Sequence, residues 1–186
     1  MSRPAEIVLL CEDRQQETFV RRFLKGHSGP RAREVSRRLR VEMAHPGRGA
    51  ADHYVLERYP HEVAAYRRQS AKRETRLLVM IDGDSAGVGG RTQQFDQACR
   101  DHRIEPRKDS ERILILVPTW NIETWLSWLT GREVEETRKD DPKLANPSDC
   151  DPGVKVLVTM CRSGELRHPA PPSLAAACAE FNRRYG

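Results

Sequence analysis

The stretch RETRLLVMIDGDSAGVGGR, Arg73 to Arg91, decides the fold. Leu77 to Ile81 form an unbroken apolar run that ends on Asp82 and Asp84, separated by one glycine, before a glycine-rich segment. A short apolar run bounded by turn formers reads as a strand buried on both faces, and such strands belong to parallel sheets covered by helices. Two carboxylates at the mouth of such a strand need an explanation.

The same grammar recurs on either side. In EIVLLCED, Ile7 to Leu10 form an apolar core that ends at Glu12 and Asp13. RQQETFVRRFLKGH then places Phe19, Val20, Phe23 and Leu24 on one helical face, with Gly26 as the expected stop. A basic piece follows, and Leu39, Val41 and Met43 alternate with Arg40 and Glu42 as a half-exposed strand leading to a turn at His45 to Gly49. AADHYVLERYPHEVAAYRRQ reads as helical around Pro60, and Phe95, Ala98 and Cys99 fall at helical offsets. RILILVP is a fourth strand ending in Pro118, and TWNIETWLSWLTG is a helix capped by Thr119 or Asn121 and closed by Gly131. Strands alternating with helices predict an α/β layered fold with a mostly parallel central sheet.

The tail is less regular. Residues 132–153 are polar and rich in turn formers and read as a loop. VKVLVTMC fits a strand or part of a helix, because periodicity does not separate them at that length. PPSLAAACAEFNRRYG is a terminal helix with Ser173 as its expected cap. One domain over 1–186 is expected, with a core at 6–130 and a C-terminal extension at 154–186.

In a parallel α/β sheet, ligands bind outside the carboxyl ends of the strands. That places Glu12, Asp82 and Asp84 at one rim. Mg²⁺ takes oxygen ligands and keeps several waters, so two carboxylates and a substrate phosphate suffice to hold it. The competing reading is an ordinary turn, since Asp and Gly both favour turns after strands.

Bulk properties set the frame. The chain has 186 residues and a formal net charge of +5, from 32 Lys and Arg against 27 Asp and Glu. Arginine supplies most of the positive charge and its fork grips phosphates, so contact with DNA or RNA fits, as does a plain solvated surface. Cys11, Cys99, Cys150, Cys161 and Cys178 have no paired metal-ligand spacing and read as reduced thiols. No long apolar segment marks a secretory signal or a membrane span, so a cytoplasmic setting with no membrane contact is expected.

Acid at the end of the first strand followed by DxD after the third resembles a Toprim domain, shared by topoisomerases, bacterial-type primases, recombination factors and OLD-family nucleases. LLCEDRQQETFVRRFL, VMIDGD and VPTWNIETWLSWL more closely resemble the compact Toprim-like proteins related to RloB and a neighbouring group of unknown function, many encoded among bacterial antiphage systems. The resemblance covers roughly residues 6 to 130, and the PPSL helix looks like a family ending. It implies that Glu12 is the family glutamate, acting as general acid or base or sharing the metal. It implies that Asp82 and Asp84 bind Mg²⁺ or Mn²⁺, and that Glu123 completes the catalytic set. Asp13 departs from the glycine found in many Toprim proteins, and Glu17 is an additional acid of smaller relatives that reads here as a helix residue. The resemblance further implies a nuclease of an antiphage defence system, working with an ATPase partner.

Phosphate contacts are expected from Arg48, at a glycine-containing turn before a helix, and from Arg31, Arg33, Arg37, Arg38 and Arg40. His45 and His53 read as bystanders. Trp125 and Trp128 share a helical face and read as core or partner surface rather than base-stacking groups. Tyr54, Tyr59, Tyr66 and Tyr185 lie in no segment resembling a strand-passage nucleophile, which favours hydrolysis. A non-catalytic metal- or nucleotide-binding subunit, and a nucleotidyl-transfer or RNA-maturation enzyme, are the other readings of the same acids.

Overall fold

A computed structural model describes residues 6–45, 49–138 and 143–185. Four strands, β1 (Glu6–Cys11), β2 (Leu39–Met43), β3 (Thr75–Met80) and β4 (Ile113–Leu116), form one sheet in the order β2-β1-β3-β4. Every pairing is parallel, with Cys11 opposite Met43 on one side and Met80 on the other. The helices are α1 (Arg14–Ser28), α2 (Ala32–Arg38), α3 (Ala51–Ser70), α4 (Gly87–Asp101), α5 (Ile122–Leu129), α6 (Asp151–Ser163) and α7 (Pro172–Tyr185). This is the layered α/β arrangement expected from the sequence, and its parallel sheet is consistent with a Toprim-like layered fold.

Two-residue alternation along each strand divides the core into two layers. Ile7, Leu9, Cys11, Leu78, Met80, Leu114 and Leu116 face one side, against apolar residues of α1, α5, α6 and α7. Val8, Leu10, Leu77, Val79, Ile81, Ile113 and Ile115 face the other, against Val55, Tyr59 and Val63 of α3 and Phe95 and Cys99 of α4. β1, β3 and β4 are covered on both faces and carry no polar alternation, whereas the edge strand β2 is half-exposed and alternates Leu39, Val41 and Met43 with Arg40 and Glu42. Each fully buried Leu or Val contributes roughly 1.5–3 kcal/mol relative to exposure.

Several boundaries differ from expectation. Gly26 lies inside α1, which runs on to a cap at Gly29. A Cβ at Gly26 would stand 3.0 Å from Val158 Cγ2, so this glycine admits α6 rather than ending α1. The basic piece before β2 is helical, as a 3-10 turn at Gly29–Arg31 followed by α2. The expected loop at 132–153 ends early, because a 3-10 turn at Pro147–Cys150 leads into α6, with Pro152 in its first turn. VKVLVTMC is therefore helical, and Val154, Leu157, Val158 and Cys161 share its buried face. Ser173 sits in the first turn of α7 rather than capping it, where its hydroxyl accepts from Trp125 Nε1 at 2.8 Å. Trp128 Nε1 donates to the Pro169 carbonyl at 2.7 Å. These bonds and the shared apolar layer bind the C-terminal extension to the same core as the sheet. Among the described residues, no helix is long and apolar enough to cross a membrane.

Candidate functional site

The strand order makes the chain leave β1 towards β2 and return on the other side of β1 to form β3. Between β1 and β3 the connections diverge, leaving a crevice at the carboxyl ends of the two central strands. Glu12 directly follows β1 and Asp82 lies two residues beyond β3. The Asp82 N–H donates to Glu12 Oε1 at 2.6 Å, so the two acids meet in that crevice.

Local backbone explains the DGD spacing. Gly83 N–H donates to the Pro118 carbonyl at 2.9 Å, and a Cβ at Gly83 would lie 2.1 Å from the Thr119 carbonyl oxygen. Only glycine fits that approach of the segment after β4. Asp84 N–H donates to the Trp120 carbonyl at 2.9 Å, and Asp84 adopts a left-handed φ of 47°. Non-glycine residues hold that conformation only where surrounding bonds enforce it.

A ring of polar side chains fixes the acids. Asp13 caps α1, its Oδ1 accepting from Gln15 N and Gln16 N at 2.9 Å each. That cap presents the first turn of α1 to the site. Gln16 Nε2 donates to Asp82 Oδ1 at 3.0 Å, while its Oε1 accepts from Glu12 N at 3.0 Å. Gln15 Nε2 donates to Glu123 Oε1 at 3.0 Å. Glu123 is buried in the first turn of α5, and Ile122 N–H at the start of that helix donates to Asp82 Oδ1 at 3.2 Å. Asp84 stands across from this group and meets Arg91 Nη2 at 3.3 Å. Arg91 is 4% exposed, and its fork also reaches the Asp82 carbonyl at 2.8 Å and Asp52 Oδ2 at 3.1 Å.

The electrostatics follow from that crowding. Burial, then the charges of Glu12 and Glu123, push Asp82 up to about 8. Burial also pushes Glu12 up to about 7, against the opposing pull of the Asp82 N–H and Arg91. Two neighbouring carboxyls raised this far are short of positive charge. Their donor set is hard oxygen, which fits Mg²⁺ or Mn²⁺. Among the described residues, no three His, Cys, Asp or Glu side chains converge to form a closed metal cage. The arrangement therefore fits an ion held by Glu12 and Asp82 with water and substrate oxygens, with Asp84 and Glu123 acting from the edge.

Glu12, Asp82 and Glu123 are thus brought together, and Asp84 joins them through Arg91. Glu17 is not part of the site: it is buried on another face of α1 and pairs with Arg14 at 3.0 Å and Arg21 at 2.5 Å. Arg48 lies outside the described residues. Arg31, Arg33, Arg37 and Arg38 precede β2 and lie towards the amino ends of the strands, the opposite rim from Glu12. Arg40 is taken up by Glu62 at 2.7 Å and by Glu42, and Arg38 pairs with Glu34. Trp125 and Trp128 are core residues, 1% and 3% exposed.

Sequence reasoning passed over Gln15, Gln16, Asp52 and Arg91. Two adjacent glutamines in the first turn after an acid-ended strand carry the signal for the first pair, since buried amides need partners. Arg91 sits near the amino end of α4, where the helix macrodipole disfavours a cation, and such a placement needs local acids. Comparison of the chain with protein-family models, with curated proteins and with solved structures found no match.

Proposed function

We propose that this protein is a divalent-cation-dependent phosphodiester hydrolase acting on nucleic acid. The observation that carries the reading is the Glu12–Asp82 pair, two half-buried carboxyls raised to about 7 and 8 at the switch point of a parallel sheet. Perturbed acids in such a crevice mark functional sites more often than structural ones. The resemblance to Toprim proteins agrees with it.

In this reading Glu12 and Asp82 would hold Mg²⁺ or Mn²⁺, which supplies Lewis-acid polarisation of a phosphoryl oxygen and acidifies bound water. Glu12 Oε1 is committed to the Asp82 N–H, so Oε2 is the atom that would either share the ion or, with Asp82 holding it, take a proton from water and return one to the leaving oxygen. Gln16 orients Asp82, and Gln15 orients Glu123. Arg91 holds Asp84 and the Asp82 backbone in register. A role in antiphage defence, an ATPase partner and a cytoplasmic setting are part of the proposal on the strength of the resemblance.

A second reading has its own support. Asp84 is engaged by Arg91, as suits a metal- or nucleotide-binding assembly subunit without turnover. Incubation with supercoiled DNA, single-stranded DNA and RNA in Mg²⁺, Mn²⁺ or EDTA, alone and with the product of any adjacent ATPase gene, separates the two. Cleavage that needs the metal and is lost in Asp82→Asn supports hydrolysis. Absence of cleavage under every condition, with metal-dependent assembly retained, supports the second reading.

A further inference from the structure

Besides the arginine-rich segment before β2, the described residues hold a second basic feature, a groove between α1 and α6. It has a volume of about 860 Å³ and is walled by Arg14, Arg21, Arg22 and Lys25 on α1 and by Lys155 on α6. Thr18, Asn146 and Ser148 add neutral hydrogen-bonding groups.

The charge of this groove is only partly cancelled. Buried Glu17 is shared by Arg14 and Arg21, and Asp151 pairs with Arg22. Both carboxylates line the groove, leaving five cations against two anions. Lys25 and Lys155 are exposed and have no carboxylate partner among the described residues. Positions 14, 18, 21, 22 and 25 recur at helical offsets of three, four and one, so they form one stripe along α1. The span from Arg14 to Lys25 is about 17 Å at 1.5 Å per residue.

Its direction matters. α1 starts two residues after Glu12, and its first turn supplies Gln15 and Gln16 to the acids. The basic stripe therefore starts with Arg14 on the same turn of α1 as Gln15 and Gln16, on a different face of the helix, and runs along α1 away from the acids. The groove is cationic and hydroxyl-bearing and none of its lining residues is aromatic, so what it offers a single strand is contact with the repeated phosphates rather than a stacking platform for bases. A duplex presents a convex backbone and would touch only the lips of the groove.

We propose that the α1–α6 groove holds the sugar–phosphate backbone of single-stranded nucleic acid and leads it to the Glu12–Asp82 site. The inference rests on the hydrolase reading for what happens at the end of the track, but the track itself is measured by binding alone. Lys25 and Lys155 are the residues to change, because neither stabilises a buried acid.

The test is fluorescence anisotropy with fluorescein-labelled 12-mers of oligo-dT and oligo-U, and a 12-base-pair duplex, in EDTA so that no strand is cut. Wild type is expected to bind both single strands more tightly than the duplex. Lys25→Glu/Lys155→Glu is expected to weaken single-strand binding at least about tenfold at 50 mM NaCl, with an unchanged melting temperature. The salt slope should fall by about 1.4 for two lost phosphate contacts, at about 0.7 each on single strands. Arg31→Glu/Arg33→Glu should bind within twofold of wild type. No binding by wild type, equal binding of duplex, or an unaffected double lysine variant overturns the track. Binding that follows this pattern in a protein that never cleaves leaves the track standing and removes the hydrolase reading instead.

Discussion

The Asp82 backbone N–H donates to Glu12 Oε1 at 2.6 Å, so the acid that ends β1 also closes the backbone of its neighbour β3. Glu12 thus has a structural duty beside its proposed chemical one, and the two are separable by substitution. Glu12→Gln keeps an oxygen acceptor for that N–H, whereas Glu12→Ala leaves it without one. A buried donor left unsatisfied costs about 1–3 kcal/mol. Glu12→Ala should therefore be less stable than Glu12→Gln by about that amount in urea unfolding, while both lose cleavage by about 10²-fold or more. Equal stabilities would mean that water replaces the carboxylate without cost.

The raised acids set a pH dependence in the metal-free protein. Unfolded Asp and Glu release their protons near pH 4, while the folded pair holds them to about 7 and 8. The folded state thus binds more protons across that interval, so the contribution to stability is complete below about pH 4 and is lost as pH rises through 7 to 8. In EDTA the melting temperature should fall between pH 6 and pH 9, and Asp82→Asn should flatten that slope. Added Mg²⁺ should raise the melting temperature more at pH 8 than at pH 6, because the ligands must be deprotonated to bind it. A melting temperature that climbs from pH 6 to 9 in EDTA would contradict the assignment of both acids.

The parts of this site that were legible in the sequence are those fixed by strand ends. Leu77 to Ile81, bounded by turn formers and flanked by helical patterns, read as a buried strand, and parallel packing then placed Asp82 beside Glu12. The α6 segment was not legible, because an eight-residue apolar run satisfies both periods until something packs on it. Gly26 misled for a related reason: it reads as a helix stop, and only the presence of Val158 shows that it makes room for a neighbouring helix. Arg91 was hidden because its partners come from two separate stretches of chain, Asp52 in α3 and the Asp82–Asp84 turn after β3. The arginines at 31 to 40 looked like one basic patch because they are close in sequence. In the structure Arg38 and Arg40 are spent on carboxylates, and a second concentration of basic side chains lies along α1 and α6, which the sequence keeps far apart.

Gly83 tests the turn that carries the paired aspartates. A methyl group there would stand 2.1 Å from the Thr119 carbonyl oxygen and 2.6 Å from that of Pro118, and both atoms are backbone. Neither can rotate away, so the β4–α5 connection must shift and the Gly83 N–H bond to Pro118 with it. Gly83→Ala should cost about 3 kcal/mol or more in urea unfolding, at the upper end for single substitutions. Gly89→Ala, with open space around the added carbon, is the control and should stay within about 1 kcal/mol of wild type. A Gly83→Ala variant as stable as that control would show that the segment after β4 is free to move.

Arg91 separates charge from shape. Its guanidinium spans the Asp82 carbonyl, Asp52 and Asp84 with bonds from 2.8 to 3.3 Å, a three-way contact that a lysine ammonium cannot copy. Arg91→Lys keeps the positive charge near Glu12 but gives up the fork, whereas Arg91→Met gives up both. Because Asp52 and Asp84 are 36% and 38% exposed, water screens the orphaned acids, and the loss for Arg91→Met should be about 1–3 kcal/mol, below the 3–5 kcal/mol of a fully buried broken pair. If Arg91 acts only through charge, Arg91→Lys restores cleavage. If it acts by holding Asp84 and the Asp82 backbone, Arg91→Lys stays about 10²-fold down in kcat while retaining near wild-type binding of a single-stranded 12-mer. The second outcome is expected, since the Asp82 carbonyl bond depends on the position of Nε rather than on net charge. Rescue by lysine would reduce Arg91 to a counterion.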